Sequence, residues 1–475
     1  MEQEVANLYG DLMRTILISI VVASIAACGG NSKSNSDANG SGDGSNNKGS
    51  DGSGGPQTVM WTLTDEPGTP SNYSFVVAYQ DGAGPWQLAP APTGDTYSLS
   101  INSAVYAVAW TCVPPQKVGT GTQPAQARRV GIASFAVAER TTLTTQVPVE
   151  CTDKLTPVAL TGSVTNIPAG GVDTGTYLAQ WGAGAPAAIK VTGTTGTFTI
   201  PALPGTHDLF IIHTPTAVGN GGAVADQVAV VRGVAVTGAT SQDVDWSTAA
   251  ASQSFDVTVT GAAAGSTTDA VTTLYAAGSV ATLADSVSNG VTTTALKTVS
   301  LAAAQMLGTD VYDQSVVIAH QGSRETASNV TATPGAQNVT APTALGGVTA
   351  TVPTSTPYPE VKATWGAYAS AVGYTWQATQ ALTGAACGTN IAACTITWTA
   401  DVSNGVTGAT PAWQMPDLSA LTGWNAALQF AAGTQVAVDV VAETSSAGGA
   451  DFPLATPPAV GTTRTFARSD TAVTP

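Results

Sequence analysis

The chain has 475 residues, of which 43% are hydrophobic and only 10% are charged, and its formal net charge is −16. This length exceeds one ordinary domain and indicates three or four, with enough apolar material for several cores. An acidic surface of this kind repels polyanions at long range, so we expect no nucleic-acid partner. The abundance of Thr and Val favours β-structure.

A short apolar segment near the N-terminus has the length of an export signal. It covers residues 16–27 after Arg14, and as a helix it spans roughly 18 Å, less than the ~30 Å of a membrane hydrocarbon core. It ends in Ile-Ala-Ala-Cys at residues 25–28, which resembles the bacterial lipobox. The resemblance implies a signal peptide over residues 1–27 and a diacylated Cys28 as the mature N-terminus.

The residues on either side of this segment refine the assignment. Residues 1–12 carry acidic side chains ahead of Arg14, so we expect translation to start at Met13. Gly29 follows Cys28, and Gram-negative lipoproteins pass to the outer membrane unless an Asp follows the cysteine. The resemblance therefore implies a protein attached to the outer membrane through its lipid, facing either the periplasm or the outside.

Residues 28–56 consist almost entirely of Asn, Ser, Gly, Asp and Lys. Such a segment has too little apolar surface to offset its conformational entropy, so it is predicted to be a disordered linker. Its random-coil span is roughly 30 Å. Residues 37–47 superficially suggest a calcium loop but lack the closing Glu, and we interpret them as part of the linker.

Five cysteines are an odd number for an exported chain, and a lipid on Cys28 leaves four. These four fall as two near pairs, which favours Cys112–Cys151 and Cys387–Cys394 among the three possible connectivities. Bridges closing these loops would stabilise the fold by roughly 4 and 2.5 kcal/mol in the chain-entropy model, and an exported protein keeps them oxidised. Free buried thiols are the alternative.

Beyond residue 57 the hydrophobic pattern has a period of two, as in half-buried β-strands. Tyr97, Leu99 and Ile101 alternate with polar residues, and turn clusters recur every ten or so residues. Long helical stripes are lacking. The sequence therefore predicts an all-β chain built from β-sandwiches.

A strand–turn–strand unit recurs along this body. Its breaks lie at Asn102, Gly205, Gly308 and Gly433, a spacing of roughly one hundred residues, which indicates tandem copies of one domain type. We predict three to four tandem β-sandwich domains, with boundaries at residues 57–153, 154–249, 250–345 and 346–475.

The second unit carries a more specific pattern. Leu-Thr-Gly-Ser-Val at residues 160–164 is followed by Gly-Thr-Phe-Thr-Ile at 196–200 and Leu-Pro-Gly-Thr at 203–206. This order resembles the carboxypeptidase regulatory-like domains, which are seven-stranded, transthyretin-like sandwiches, although His207 stands where an aromatic residue is common. The resemblance implies a spacer or binding module without catalytic residues.

Three histidines supply little material for a general base or a metal site. His207 and His213 lie on one predicted strand, roughly 20 Å apart, which is too far to share a metal. His320 has no His or Cys nearby. We interpret all three as satisfied surface or rim residues.

Two acidic motifs have simple structural interpretations. Asp173-Thr174-Gly175 matches the local signature of aspartic proteases, but that chemistry needs two facing aspartates and the chain has no second triplet, so a turn is favoured. Asp243 and Asp245 could together bind calcium, but a solvated pair at a strand end is favoured. The sequence thus predicts no catalytic residue, no metal and no cofactor.

The C-terminal region is rich in aromatic residues. Exposed Trp faces stack on sugars and anchor interfaces, whereas a long sandwich uses the same rings to fill its core, which is the interpretation we favour. A glycan surface would need at least two exposed, coplanar rings. The tryptophans concerned are Trp365, Trp376, Trp398, Trp413 and Trp424.

The sequence therefore predicts a non-catalytic, lipid-anchored cell-envelope protein used for surface display, spacing, or recognition of a protein or glycan. One alternative is a glycan-binding module in the C-terminal domain. The other is a hydrolase with a degenerate site, which would require a concave pocket holding two or more close carboxylates.

Overall fold

The computed structural model describes residues 56–64, 73–115, 125–148, 151, 157–169, 175–215, 223–289, 296–320, 322–408, 410–453 and 458–475. The predicted all-β fold class is confirmed. The predicted signal peptide, Cys28 and the linker up to residue 55 lie outside the described residues. The helical turns described are Trp246–Thr248, Gly384–Cys387, Asn404–Thr407, Ala426–Leu428 and Gly448–Asp451.

Residues 57–151, here called unit 1, form two layers of strands. The strands are β1 (Gln57–Thr64), β2 (Ser74–Asp81), β3 (Gln87–Leu88), β4 (Thr96–Ile101), β5 (Val105–Val113), β6 (Gln126–Ala136) and β7 (Thr142–Gln146). One layer has the order β4-β1-β7, and the order of the other is β3-β2-β5-β6. Tyr97, Leu99 and Ile101 are buried between the layers, as their alternation predicts.

Residues 158–251, called unit 2, form a sandwich of two sheets around Trp181, Phe198 and Trp246. The strands are β8 (Val158–Thr165), β9 (Gly175–Trp181), β10 (Ala187–Ala188), β11 (Lys190–Thr192), β12 (Thr195–Ala202), β13 (Gly205–Pro215), β14 (Ala223–Val224), β15 (Gln227–Val236), β16 (Thr240–Ser241), β17 (Val244–Asp245) and β18 (Ala250–Ala251). The sheet orders are β11-β12-β8-β16, with β17 also on β8, and β10-β9-β13-β15-β18.

Residues 253–341 form unit 3, and residues 345–475 form unit 4. The strands of unit 3 are β19 (Gln253–Thr260), β20 (Thr267–Ala276), β21 (Ser279–Asn289), β22 (Leu296–Ser300), β23 (Val311–His320), β24 (Ser323–Thr331) and β25 (Gln337–Thr340). Those of unit 4 are β26 (Thr349–Thr354), β27 (Glu360–Thr364), β28 (Gly373–Thr383), β29 (Ala393–Ser403), β30 (Ala412–Gln414), β31 (Val436–Ser445) and β32 (Thr463–Val473). Each unit has a small three-stranded sheet, β22-β19-β25 or β26-β27-β30.

Units 1 to 3 share one topological feature. The first strand of each unit runs parallel to a late strand of the same unit, in the pairs β1–β7, β8–β16 and β19–β25. In unit 4 the corresponding small sheet is wholly antiparallel. The repeat seen in the sequence thus has a counterpart in strand order for three units, and the longer last unit departs from it.

The larger layers of units 3, 4 and 1, together with the short strand β14 of unit 2, join into one sheet of 13 strands. Its order is β14-β21-β20-β23-β24-β32-β31-β28-β29-β6-β5-β2-β3. Strand β24 pairs antiparallel with β32, and β29 pairs parallel with β6 from Cys394↔Gln126 to Val402↔Ser134. Unit 1 therefore lies beside unit 4, the most distant unit in sequence.

Apolar contacts seal the junction between units 1 and 4. Strand β5 is buried from Tyr106 to Val113 on both of its faces. One face packs into unit 1, and on the other side Ala109 joins Ile132 and the unit 4 residue Trp398 in a single core. A strand buried on both faces needs a nearly continuous apolar sequence, and β5 has one that only Thr111 interrupts.

The same arrangement joins units 2 and 3. Leu209 and Ile211 of β13 face the core of unit 2, whereas Phe210 and Ile212 pack with Tyr312 of unit 3. The outer face of a unit 2 sheet is thus covered by unit 3, as the outer face of the unit 1 sheet is covered by unit 4.

A buried ion cluster reinforces the junction of units 2 and 3. The guanidinium of Arg232 donates from Nη1 to Asp208 Oδ2 at 2.6 Å and from Nη2 to Asp310 Oδ2 at 2.8 Å. Nη2 also donates to the Gln305 carbonyl at 2.6 Å. Both carboxylates are only 1% exposed, and a charge pair at such depth stabilises only when its hydrogen bonds are complete. Arg232 therefore binds one carboxylate from unit 2 and one from unit 3.

Unit 4 also places an aromatic side chain in the core of unit 1. Phe452 is fully buried, lies 6.0 Å from the ring of Phe135 and belongs to the unit 1 core. Its ring occupies the space in which a Cβ at residue 373 would lie, which explains why Gly373 opens β28.

Replacing Phe452 by Ala should therefore destabilise units 1 and 4 together. We expect a loss of about 3–5 kcal/mol in the free energy of unfolding, as for other buried Phe side chains, measured by urea denaturation with tryptophan fluorescence. Val460→Ala is the control, because Val460 is 53% exposed. Equal midpoints for the two variants would contradict the packing described.

Candidate functional site

The five C-terminal tryptophans pack inward. Trp365, Trp376 and Trp398 are buried, and Trp413 and Trp424 are partly buried. Trp376 lies two residues after Tyr374 on β28, so the two rings share one face of the strand, and this face packs into the core of unit 4. The core interpretation agrees with these positions.

Ring contacts show how this cluster is built. Trp376 lies 4.5 Å from Trp413, and Trp424 stacks on Tyr358 at 5.7 Å. The indole of Trp398 donates to the Leu428 carbonyl at 2.9 Å. Three of the five side chains are buried and the other two are partly buried, so they do not form the exposed, coplanar pair that a glycan surface needs.

Both predicted disulfides are present. Cys112–Cys151 has a Cα–Cα distance of 5.8 Å, and Cys387–Cys394 has one of 5.6 Å, both within the usual range. The first bridge fixes the end of unit 1 to β5. The second closes the connection between β28 and β29, next to the strand that pairs with unit 1.

The histidines do not form a joint site. His207 lies beside the Ala277 carbonyl, with 3.3 Å from Nδ1 to O, and packs edge-on against Trp181. His213 is buried, contrary to the prediction of a surface or rim residue. Its Nδ1 lies 2.6 Å from Asp226 Oδ1, and its ring lies 4.5 Å from that of Tyr177. His213 lies on the same face of β13 as Leu209 and Ile211, and this face packs into the core of unit 2.

Asp243 and Asp245 each hold a separate local structure. Asp243 accepts hydrogen bonds from the backbone N–H and the hydroxyl of Ser163, which lower the pKa of Asp243. Asp245 accepts from Asn166 Nδ2, which lowers its pKa, and from Ser247 N, capping a helical turn. Among the described residues, no group of three or more His, Cys, Asp or Glu side chains could hold a metal ion.

Only the last residue of the triplet Asp173-Thr174-Gly175 is described. Asp173 and Thr174 lie outside the described residues, and Gly175 begins β9.

Two cavities lie where units meet. The larger, about 530 Å³, lies between units 3 and 4 and is lined by Tyr368, Thr340, Thr343, Ser370, Thr444, Thr465 and small apolar residues. The smaller, about 230 Å³, lies between units 1 and 4 and contains Arg128. None of the described residues that line them is Asp or Glu, so neither cavity has the paired carboxylates that a hydrolase site requires.

One close pair of carboxyl groups lies on the outer face of the large sheet in unit 4. The Thr375 hydroxyl is 2.8 Å from Asp401 Oδ1 and 2.9 Å from Glu443 Oε1. Burial raises the pKa of Asp401 to about 6, although the bond from Thr375 opposes the shift. Nothing in the sequence pattern marked these residues, because they belong to three strands that become neighbours only in the folded sheet.

Asp401 should make stability depend on pH. The pKa of Asp401 is higher in the folded state than in the unfolded chain. Between about pH 4 and 6 the folded protein therefore keeps this proton, whereas the unfolded chain has lost it. The free energy of unfolding then falls as pH rises, by up to about 3 kcal/mol. Asp401→Asn should flatten the stability profile in this window, as measured by urea unfolding from pH 4 to pH 7. Asp256→Asn, at a side chain 64% exposed, is the control. Parallel profiles for D401N and the unaltered protein would refute the assignment.

Among the residues that the structure describes, none of the helices has the length and apolar character needed to cross a membrane.

Comparisons with known proteins identify no family. No protein-family model matches the chain, and no curated protein matches it. Among solved structures, the chain is similar to a DUF3823 family protein from Bacteroides ovatus, with 11% identity over 34% of this chain and 90% of that chain and a TM-score of 0.12. It is also similar to the Bacillus anthracis TIE protein, with 9% identity over 60% of this chain and half (50%) of that chain and a TM-score of 0.13. TM-scores this low carry no inference about function.

Proposed function

We propose that the chain is a non-catalytic protein of the cell envelope, held at the outer membrane by a lipid on Cys28, that displays its β-body for recognition of a protein or glycan. The observation that carries this proposal is the joining of units 3, 4 and 1 in one sheet. Units that lie in one sheet and share hydrophobic cores are expected to move together as one body. Such a body suits display on a tether better than the role of an extensible spacer.

The disulfides support a location outside the cytoplasm. Cys112–Cys151 and Cys387–Cys394 are both formed, and such bridges persist in oxidising compartments such as the periplasm and the cell surface. The lipobox-like segment ending at Cys28 and the polar linker that follows it supply the anchor and the tether in this proposal.

The non-catalytic part of the proposal rests on where the titratable groups lie. The carboxyl pair Asp401 and Glu443 packs on a sheet face and does not line either cavity, and the imidazole of His213 is buried against Tyr177. Tyr368 and the Ser and Thr hydroxyls of the larger cavity suit contact with a neutral polar group.

Replacing Cys28 by Ser should abolish lipid attachment and release the protein from the membrane fraction. Gly29→Asp is the matched variant, because an Asp after the cysteine should keep the lipidated protein at the inner membrane. Mass spectrometry of the N-terminal peptide and density-gradient fractionation are the readouts. An unmodified, water-soluble native protein would overturn the anchoring.

A screen of the purified full chain against glycoside, peptide and ester substrates is expected to show no turnover. Activity that is lost when a single Asp or His is substituted would disprove the non-catalytic role.

A further inference from the structure

The smaller cavity lies where β6 of unit 1 meets the helical turn Ala426–Leu428 of unit 4. Its volume is about 230 Å³, below the usual range of drug-sized ligand sites. Its walls combine apolar surface with a few polar groups. The lining residues are Ser74, Val113, Pro114, Pro115, Gln126, Arg128, Asn425 and Ala427.

Arg128 is the charged residue of this lining, and it is only 4% exposed. Its Nη1 donates to the Ala427 carbonyl at 3.2 Å, and its Nη2 donates to the Cys387 carbonyl. Its Nε has no hydrogen-bond partner. A guanidinium has five N–H donors, so these two carbonyls leave most of its donor capacity unused.

Among the residues that the structure describes, no acidic side chain forms an ion pair with Arg128. Burial lowers the pKa of this guanidinium, and no charged neighbour among the described residues offsets that effect. Burying a cation without a partner is unfavourable, so an anion supplied from outside the chain would be favoured there.

Arg232 provides the internal comparison. It also joins two units, but it binds the carboxylates of Asp208 and Asp310, and hydrogen bonds from Arg232 to these groups raise its pKa against the effect of burial. At one junction the chain supplies the anions itself. At the other, the arginine meets two neutral carbonyls and a cavity.

A second unpartnered group lies on the same face of β6. Gln126 is two residues from Arg128, and its Oε1 is buried without a hydrogen-bond partner, while its Nε2 donates to the Pro115 carbonyl at 3.5 Å. The cavity thus offers to a carboxylate the guanidinium donors that the two carbonyls leave unused. Val113 and Pro114 add apolar surface to the lining.

We propose that this cavity binds a small carboxylate. The carboxylate accepts hydrogen bonds from N–H groups of Arg128 that the Ala427 and Cys387 carbonyls leave unused. A free 2-hydroxy acid and the C-terminal residue of a peptide share this chemistry. The site belongs to the junction of units 1 and 4 and does not depend on the lipid anchor.

Isothermal titration calorimetry on the purified full chain tests the site with two probes. Protein and probe solutions contain sodium chloride at the same ionic strength. Lactate represents the free hydroxy acid, and N-acetylalanine represents a peptide C-terminus. N-acetylalanine amide, which has no carboxylate, is the negative probe. We expect at least one carboxylate to bind saturably, with a dissociation constant between about 1 µM and 1 mM, and the amide not to bind. The carboxylate that binds more tightly identifies the source.

Variants separate this site from general charge attraction. Arg128→Gln should weaken binding at least tenfold, whereas Arg129→Gln removes the same charge from the adjacent residue, which points to the opposite face of β6, and should leave affinity within about twofold. Ser74→Trp fills the cavity and leaves Arg128 in place, so it decides the question if R128Q does not fold. Absence of saturation with both carboxylates, or unchanged affinity in S74W, would overturn the proposal.

Discussion

A sheet that is apolar on both faces must be covered on both faces, and this constraint organises the whole molecule. The small sheet of unit 1 covers one side of β5, and the core of unit 4 covers the other. Unit 3 likewise covers the outer face of β13 in unit 2. The strand pairing of β29 with β6 and the insertion of Phe452 follow from bringing those faces together.

Much of the fold could be predicted from local patterns. Period-two alternation at residues 97–101 predicts a half-buried strand, and the two near pairs of cysteines predict both bridges. These features depend on residues close in sequence. The pairing of units 1 and 4 could not be predicted, because register between distant strands leaves little trace in either sequence.

One signal for these contacts was nevertheless present. Residues 105–113 and 209–213 are apolar almost without interruption, which is the pattern of a strand buried on both faces. The burial of β5 and β13 matches it. The same long-range dependence hid the polar sites. Arg128 meets the Cys387 and Ala427 carbonyls across more than 250 residues of sequence, so no local motif could mark it. Both junctions place an arginine between units, one with its anions built in and one beside a cavity.

Amide hydrogen exchange along β6 tests the central claim most directly, because alternate N–H groups of this strand face β5 and β29. If units 1 and 4 share one sheet, amides on both edges of residues 126–134 exchange slowly and through the same opening as residues 394–402. If β6 is instead an edge strand, the amides that face β29 exchange rapidly while those bonded to β5 remain protected. That result would contradict the joined body on which the account rests.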